Sequence, residues 1–259
     1  MKLTHHERYD YMPLRGRPDY SWPGGKRLAV YFALNLEHFS FGDGHGAELA
    51  PAGHQPDVLN YAWRDYGNRV GAWYLLDAFD ALNLPMATLV NSSLYDYAPE
   101  LVAACRARGD EIVGHGRSNA ERQGTLDEAA EKALIDEATA RIAKEEGRPP
   151  AGWLGPWISQ SVHTPDLLAE AGYGYHLDWC MDDQPIWFRC RGGRRNGLWA
   201  VFWRCFSCNG FSTSITTICR RAIRRIAAMT IASRTRTTIR TRWRRNPPRS
   251  FPGWARRWG

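Results

Sequence analysis

At 259 residues, with 44% apolar residues and a formal charge of +7, the chain could be one α/β barrel or two small domains, one domain being the simpler reading since 1–190 alone is long enough for a sizeable core. No stretch approaches the roughly 18 apolar residues of a membrane span, and the opening MKLTHHERYDYMPLRG has no apolar run of leader length, so a cytoplasmic protein with no membrane partner is expected. The charge is divided unevenly: residues 1–190 hold all 27 acidic residues and 17 basic ones, whereas 191–259 hold 17 arginines and no acid, so the +7 does not describe one surface.

Past Trp22-Pro23-Gly24-Gly25, short apolar runs alternate with amphipathic stretches, the pattern of an α/β parallel sheet or barrel. Leu28 to Leu36 reads as a buried strand. Val70, Trp73, Leu76 and Phe79 share one face of a helix predicted over 70–82. Pro85 to Val90 is the second strand, followed by a helix from Pro99 to Arg108 that Gly109 stops. Glu111 to Gly114 is the third strand. Thr125 and Glu128 have the spacing of a capping box for a charged helix ending at Glu146, before Gly147 and Pro149-Pro150. Trp153-Leu154 is the fourth strand candidate. Thr164-Pro165-Asp166 has an N-cap, a first-turn proline and an acid at the positive helix end, predicting a short helix to Glu170, and a fifth strand spans Tyr173 to Leu177. His5 and His6 are expected on a disordered surface segment, and Asp182 and Asp183 in a solvated turn.

Polar or turn residues follow every strand: Glu37 and His38, Asn91, His115, Gly155-Pro156-Trp157, and Asp178. In a barrel of parallel strands these positions share one rim, where active sites are built. Each also has a plainer reading. His115 could be a turn histidine, Glu37 half of a structural ion pair, Asn119 a local cap, Asp178 an arginine partner at the rim, and Trp153 and Trp157 core residues.

Residues 191–259 lack Asp, Glu, Lys, His, Tyr and Gln altogether. Those six types share an A in the middle codon position, so a GC-rich gene read out of frame from about residue 190–197 explains the bias. The rival reading is an arginine-rich arm in which Arg220-Arg221, Arg224-Arg225 and Arg244-Arg245 neutralise phosphates without sequence preference. Cys205-Phe206-Ser207-Cys208 has the spacing of a metal or redox pair, but no second pair or histidine accompanies it. Two segments are expected: a barrel domain over 1–190, and an Arg-rich, poorly ordered tail over 191–259.

The segments WPGGKRLAVYFALNLEH, NRVGAWYLLDAFDALNLP, DEIVGHGRSN, GWLGPW and YHLDWCMDDQP, in this order, resemble the polysaccharide deacetylase (NodB-homology) family, and most of all its allantoinase-like branch. The likeness runs from about Arg8 to Arg189. It implies a distorted (β/α)7-type barrel, here incomplete after the fifth strand, and hydrolysis of an amide carbon–nitrogen bond that is not a peptide bond. It also implies a small-molecule partner, either a cyclic amide or ureide or an N-acetylated sugar, and a homo-oligomer for the intact family member. The family's paired aspartates correspond to Asn35-Leu36-Glu37-His38, leaving Glu37 as the carboxylate. Its His-x-x-x-His motif corresponds to His115 through Asn119, and its late general-acid histidine has no counterpart.

The resemblance therefore makes Glu37, His115 and Asp178 the candidate catalytic residues, and Asn91, Trp153, Pro156 and Trp157 candidate substrate contacts. Glu37, His115 and Asn119 would be the metal ligands. An amide oxygen is a weak zinc ligand, so a divalent metal is a candidate cofactor but not the favoured outcome. The enzyme is expected to be impaired, and the alternatives are a non-catalytic binder using the rim or nucleic-acid association through the tail.

Overall fold

The computed structural model describes residues 3–17, 25–26, 29–48, 54–191 and 198–200, the last three by backbone alone. The described residues belong to a unit spanning Met1–Phe206; a second unit, Ser207–Gly259, lies outside the described residues, as do Trp22 to Gly24, Cys205, Cys208 and the arginine pairs of the tail.

Five short strands pair in parallel in chain order: β1 (Ala33–Leu36), β2 (Ala87–Val90), β3 (Glu111–Gly114), β4 (Gly152–Trp153) and β5 (Tyr175–His176). Two more follow. β6 (Ile186–Phe188) pairs antiparallel with β7 (Leu198–Ala200), and β7 adds to β5 in parallel, giving the order β1-β2-β3-β4-β5-β7-β6. The architecture is a distorted parallel (β/α) barrel, and its sheet continues two strands past the fifth.

Between the strands run α1 (Val58–Tyr66) and α2 (Ala72–Leu82), joined by a wide turn at Gly67–Gly71, then α3 (Leu94–Tyr97), α4 (Pro99–Arg108), α5 (Glu128–Glu146) and α6 (Thr164–Glu170). α5 buries Glu131, Leu134, Ile135, Ala138 and Ile142, a single face at helical spacing. Ala87, Leu89, Val113, Leu154 and Leu177 pack together between the strands, while Leu36, Val90, Leu76 and Val102 pack a second layer under α2 and α4. Alternate strand residues thus face two different cores, as the pleat requires.

Several boundaries differ from expectation for local reasons. β1 starts at Ala33 because its partner β2 starts at Ala87, and Val30 and Tyr31 lie exposed outside the ladder. The helix expected from Val70 belongs to a longer run beginning at Val58, whose N-cap is Asp57. The cap of α5 is Asp127, whose carboxylate accepts from the Ala130 N–H at 2.8 Å, while the Thr125 hydroxyl donates to the Arg122 carbonyl. The N-cap position of α6 is His163, which makes no side-chain capping bond, and the Thr164 hydroxyl is engaged by the Ser161 N–H and by buried Glu131.

The N-terminal segment is also placed. The Arg8 guanidinium makes a two-pronged pair with Asp166 at 2.6 and 2.7 Å, and the Arg189 N–H donates to the Arg8 carbonyl. His6 packs on Tyr9 and on the edge of Trp179, so the disorder expected for it is replaced by an aromatic contact. Asp182 is not solvated: it pairs with Arg17 at 2.7 and 2.8 Å.

Candidate active site

Strand register places the chemistry. Leu36 aligns with Val90, Val90 with Gly114, Gly114 with Trp153, and Trp153 with His176. The residues that leave the strands next, Glu37, Asn91 and His115, therefore emerge at one level on the C-terminal rim, with Asp178 one residue further along its strand.

His115 is 1% exposed. Its Nδ1 lies 2.6 Å from the Leu154 carbonyl, which can only accept, so Nδ1 carries the proton and the ring is fixed in orientation. The opposite nitrogen, Nε2, is buried without a hydrogen-bond partner, and the nearest charge is Glu37 Oε1 at 3.5 Å. That separation is a Coulombic contact rather than a hydrogen bond. Burial pushes the Glu37 carboxyl up, but His115, the Asn35 amide donor at 3.2 Å and the charge of Arg64 together outweigh it and hold the carboxyl below its usual range.

Asparagines wire this pair to the rim. Asn91 is fully buried; its Oδ1 accepts from the His38 N–H at 2.8 Å, and its Nδ2 donates to the His115 carbonyl and to Asn119 Oδ1. Both ends of the Asn91 side chain are thus engaged inside the fold. Asn119 is equally committed: its N–H donates to the His38 carbonyl, its carbonyl accepts from Trp157 Nε1, and its side-chain oxygen already takes the Asn91 proton. Asn68 closes the ring by donating to the Glu37 carbonyl at 2.7 Å.

Trp153 is not a pocket wall. It is 0% exposed, stacks edge-on with Tyr173 and donates to Gln123, because β4 lies between α5 and the barrel core. Pro156 is likewise buried, its ring against Gly116, where a Cβ would sit 2.6 Å from Cγ; Gly116 has φ +67 and tolerates neither a side chain nor another backbone. Trp157 does reach the surface. It holds φ +64, a conformation costly for a bulky residue, and meets Phe39 and His45 edge-on at 6.1 and 4.5 Å.

Asp178 is tied to the same loop instead of to an arginine. Its Oδ1 accepts from the Gly155 N–H at 2.8 Å, and its Oδ2 is buried without a partner. Burial pushes its carboxyl up to about 7, against the opposing pull of the Gly155 N–H, His115 and Gln160. Asp178 and Gln160 line an open cleft of about 1300 Å³ together with His6 to Tyr9 and Trp179. Two residues that sequence reasoning passed over lie close by. His176 is fully buried beside Phe188, and burial, then the charge of Arg8, push it down to about 4. Arg64 reaches the rim from α1 and stacks on Phe39.

The donor set does not fit a zinc centre. Glu37 and His115 are two strong ligands, but the third candidate, Asn119, offers an amide oxygen already used by Asn91, and among the described residues no three His, Cys, Asp or Glu side chains gather as a metal set.

No family model and no curated protein matches the chain. Solved structures do match in fold. Puue allantoinase superposes with a TM-score of 0.64 at 23% identity, over 85% of this chain and 81% of that one. A protein assigned as a polysaccharide deacetylase of Pseudomonas aeruginosa PAO1 gives 0.61 at 23% identity, over 80% and 76% of the two chains. One so assigned from Mycobacterium smegmatis gives 0.60 at 24%, also over 80% and 76%. The chain therefore has the barrel fold shared by allantoinase and polysaccharide deacetylase structures. Among the described residues no helix is long and apolar enough to cross a membrane.

Proposed function

We propose that the rim is the site of a hydrolase acting on carbon–nitrogen bonds other than peptide bonds, with a small cyclic amide or ureide as substrate in preference to an N-acetylated sugar. The observation that carries this reading is the 3.5 Å approach of Glu37 to the buried, unpartnered Nε2 of His115. The fold shared with Puue allantoinase supports the choice of substrate class. Ionised Glu37 takes a proton from water, and the resulting hydroxide attacks the carbonyl carbon. His115, its ring fixed by Leu154, turns its unpartnered Nε2 toward the same water. Asp178, protonated up to about pH 7, supplies the proton that the departing nitrogen needs. A C–O bond forms as the C–N bond breaks, and no external reactant besides water is required.

Turnover is impaired, because a buried aspartic acid replaces an imidazole as acid and the amide of Asn119 stands where the family resemblance places a second histidine. The test is release of acid from allantoin, and of acetate from chito-oligosaccharide, by the full chain and by Glu37→Gln and His115→Ala. Release well below the roughly 10 s⁻¹ of an ordinary enzyme, and lost in both variants, is expected. Equal rates in all three proteins would leave a non-catalytic binder as the reading.

We also propose that the C-terminal segment is an out-of-frame product, on the strength of its missing residue types. β7 pairs Leu198–Ala200 into the sheet, which favours a boundary later than the 190–197 read from composition. Reading the coding sequence in the other two frames tests this: an alternative frame restoring acidic residues and histidine supports it, and stop codons in both leave an arginine-rich arm.

A further inference from the structure

Arg64 has a placement that the hydrolytic steps above do not use. Its guanidinium lies 3.8 Å from the ring centre of Phe39 and 5.7 Å from that of Trp157. Its Nε donates to Asn60 Oδ1 at 3.0 Å. Asn60, itself 3% exposed, is anchored by donating to the Gly46 and Ala47 carbonyls at 2.8 and 3.2 Å. The Phe39 face sets the plane of the guanidinium and the bond to Asn60 sets its rotation, so the two Nη groups form a fork directed away from Asn60. Among the described residues neither Nη donates a hydrogen bond and no carboxylate lies within 4.0 Å of the group.

The Nη groups are not among the buried unpartnered atoms, so the charged end is open to solvent or to a ligand, and Glu37 and Asp57 act on it through charge without a direct ion pair. Here the end is fixed beside the rim. Phe39 is two residues from Glu37, and Trp157, the other ring under Arg64, donates to the carbonyl of Asn119, which is wired through Asn91 to His115. An oriented fork with vacant donors, next to an exposed aromatic face and a carboxylate–imidazole pair, matches a planar group that offers two oxygens in one edge.

We propose that Arg64 is a binding residue of the rim, holding the carboxylate or paired carbonyl oxygens of a small planar amide or ureide against Trp157. This rests on the substrate class proposed above, and its test reads binding instead of turnover. Oxamate, a planar carboxylate bonded to an amide, is the probe, with acetamide as the uncharged comparator; affinities are measured by titration calorimetry on the full chain.

The wild-type chain should bind oxamate at least about tenfold more tightly than acetamide, and Arg64→Gln should abolish that preference. Arg64→Lys keeps the charge and the stem over Phe39 but not the fork. It should fold and still lose about tenfold for oxamate, with the acetamide affinity unchanged. Allantoin turnover is read on the same proteins: an oxamate preference that depends on Arg64 in a chain without turnover keeps this inference and overturns the hydrolytic reading alone. Equal oxamate affinity in wild type and Arg64→Lys, or no preference for oxamate over acetamide in the wild type, overturns the proposal.

Discussion

Replacing Asp178 by Asn should alter how stability depends on pH, because Asp178 is the rim carboxyl whose folded environment most resists ionisation. Its folded value of about 7 lies above the ordinary 3.8, chiefly through burial. A group whose folded value is raised contributes stability that is fully present below the unfolded value. That contribution is lost as pH rises through the folded value, here between about 4 and 7. The whole gap corresponds to about 4 kcal/mol at about 1.4 kcal/mol per pH unit, an upper bound because local rearrangement and water entry soften the penalty of the ionised state. The partnerless Oδ2 is the atom that makes ionisation costly. An asparagine in the same place still accepts from the Gly155 N–H through Oδ1 but cannot ionise. Urea unfolding followed by circular dichroism at pH 4.5, 6 and 8 gives the stability difference between wild type and Asp178→Asn. All other titrating groups, including His176, cancel in that difference. The wild type should lose about 2–4 kcal/mol relative to the variant between pH 4.5 and 8. A difference constant to within about 0.5 kcal/mol would refute both the buried carboxyl and its role as a proton donor near neutrality.

Two further substitutions probe the supports of the rim. Gly116→Ala combines a φ of +67 with a Cβ 2.6 Å from Pro156 Cγ, so it should cost about 2 kcal/mol and disturb the His115 to Leu154 hydrogen bond. Unfolding and the imidazole nitrogen spectrum of His115 check it, and an unchanged spectrum at wild-type stability would contradict the packing argument. Glu131, fully buried, accepts from Gln123, Ser161 and Thr164; Glu131→Ala leaves all three donors stranded and should cost about 3 kcal/mol, with faster amide exchange at Ser161 and His163.

What could be read from the chain depended on whether the signal was local. α4 and its stop at Gly109, the third strand and the end of α5 at Gly147 were legible because a first-turn proline, a glycine at positive φ or an apolar run defines each within a few residues. β6 and β7 were not. Each has three residues, too few to show a period of two, and β7 pairs with β5 and with β6 only once the barrel has brought them together. Glu37, His115 and Asp178 were visible as polar residues ending strands. Trp153 stays open between core and pocket wall in the sequence because a two-residue strand gives no face, and the packing of α5 and Tyr173 against it buries the ring. Arg64 carried no signal at all: α1 shows exposed Val58, Leu59 and Trp63 instead of an inward stripe, and nothing in sequence links it to Phe39 or Trp157. The same holds for the segment around His6, whose bed of Trp179 and Phe188 comes from the far end of the domain.

The chemistry of the rim follows from what surrounds its one ionised carboxylate. Asn35 and Asn68 donate to Glu37, while Asn91 and Asn119 fix the backbone around His38 and His115. Amides orient groups without adding charge, so the four asparagines leave the electrostatic balance to others. Against burial, His115, then Asn35 and the charge of Arg64, hold the Glu37 carboxyl down, and Asp178 avoids a second negative charge by staying protonated to about pH 7. The charges are thus compensated by the chain's own side chains, and among the described residues no third His, Cys, Asp or Glu joins Glu37 and His115 as a zinc centre would require. A substrate oxygen that takes the Arg64 fork would withdraw that compensation from Glu37. The carboxylate would then become a stronger base at the moment when water must be deprotonated.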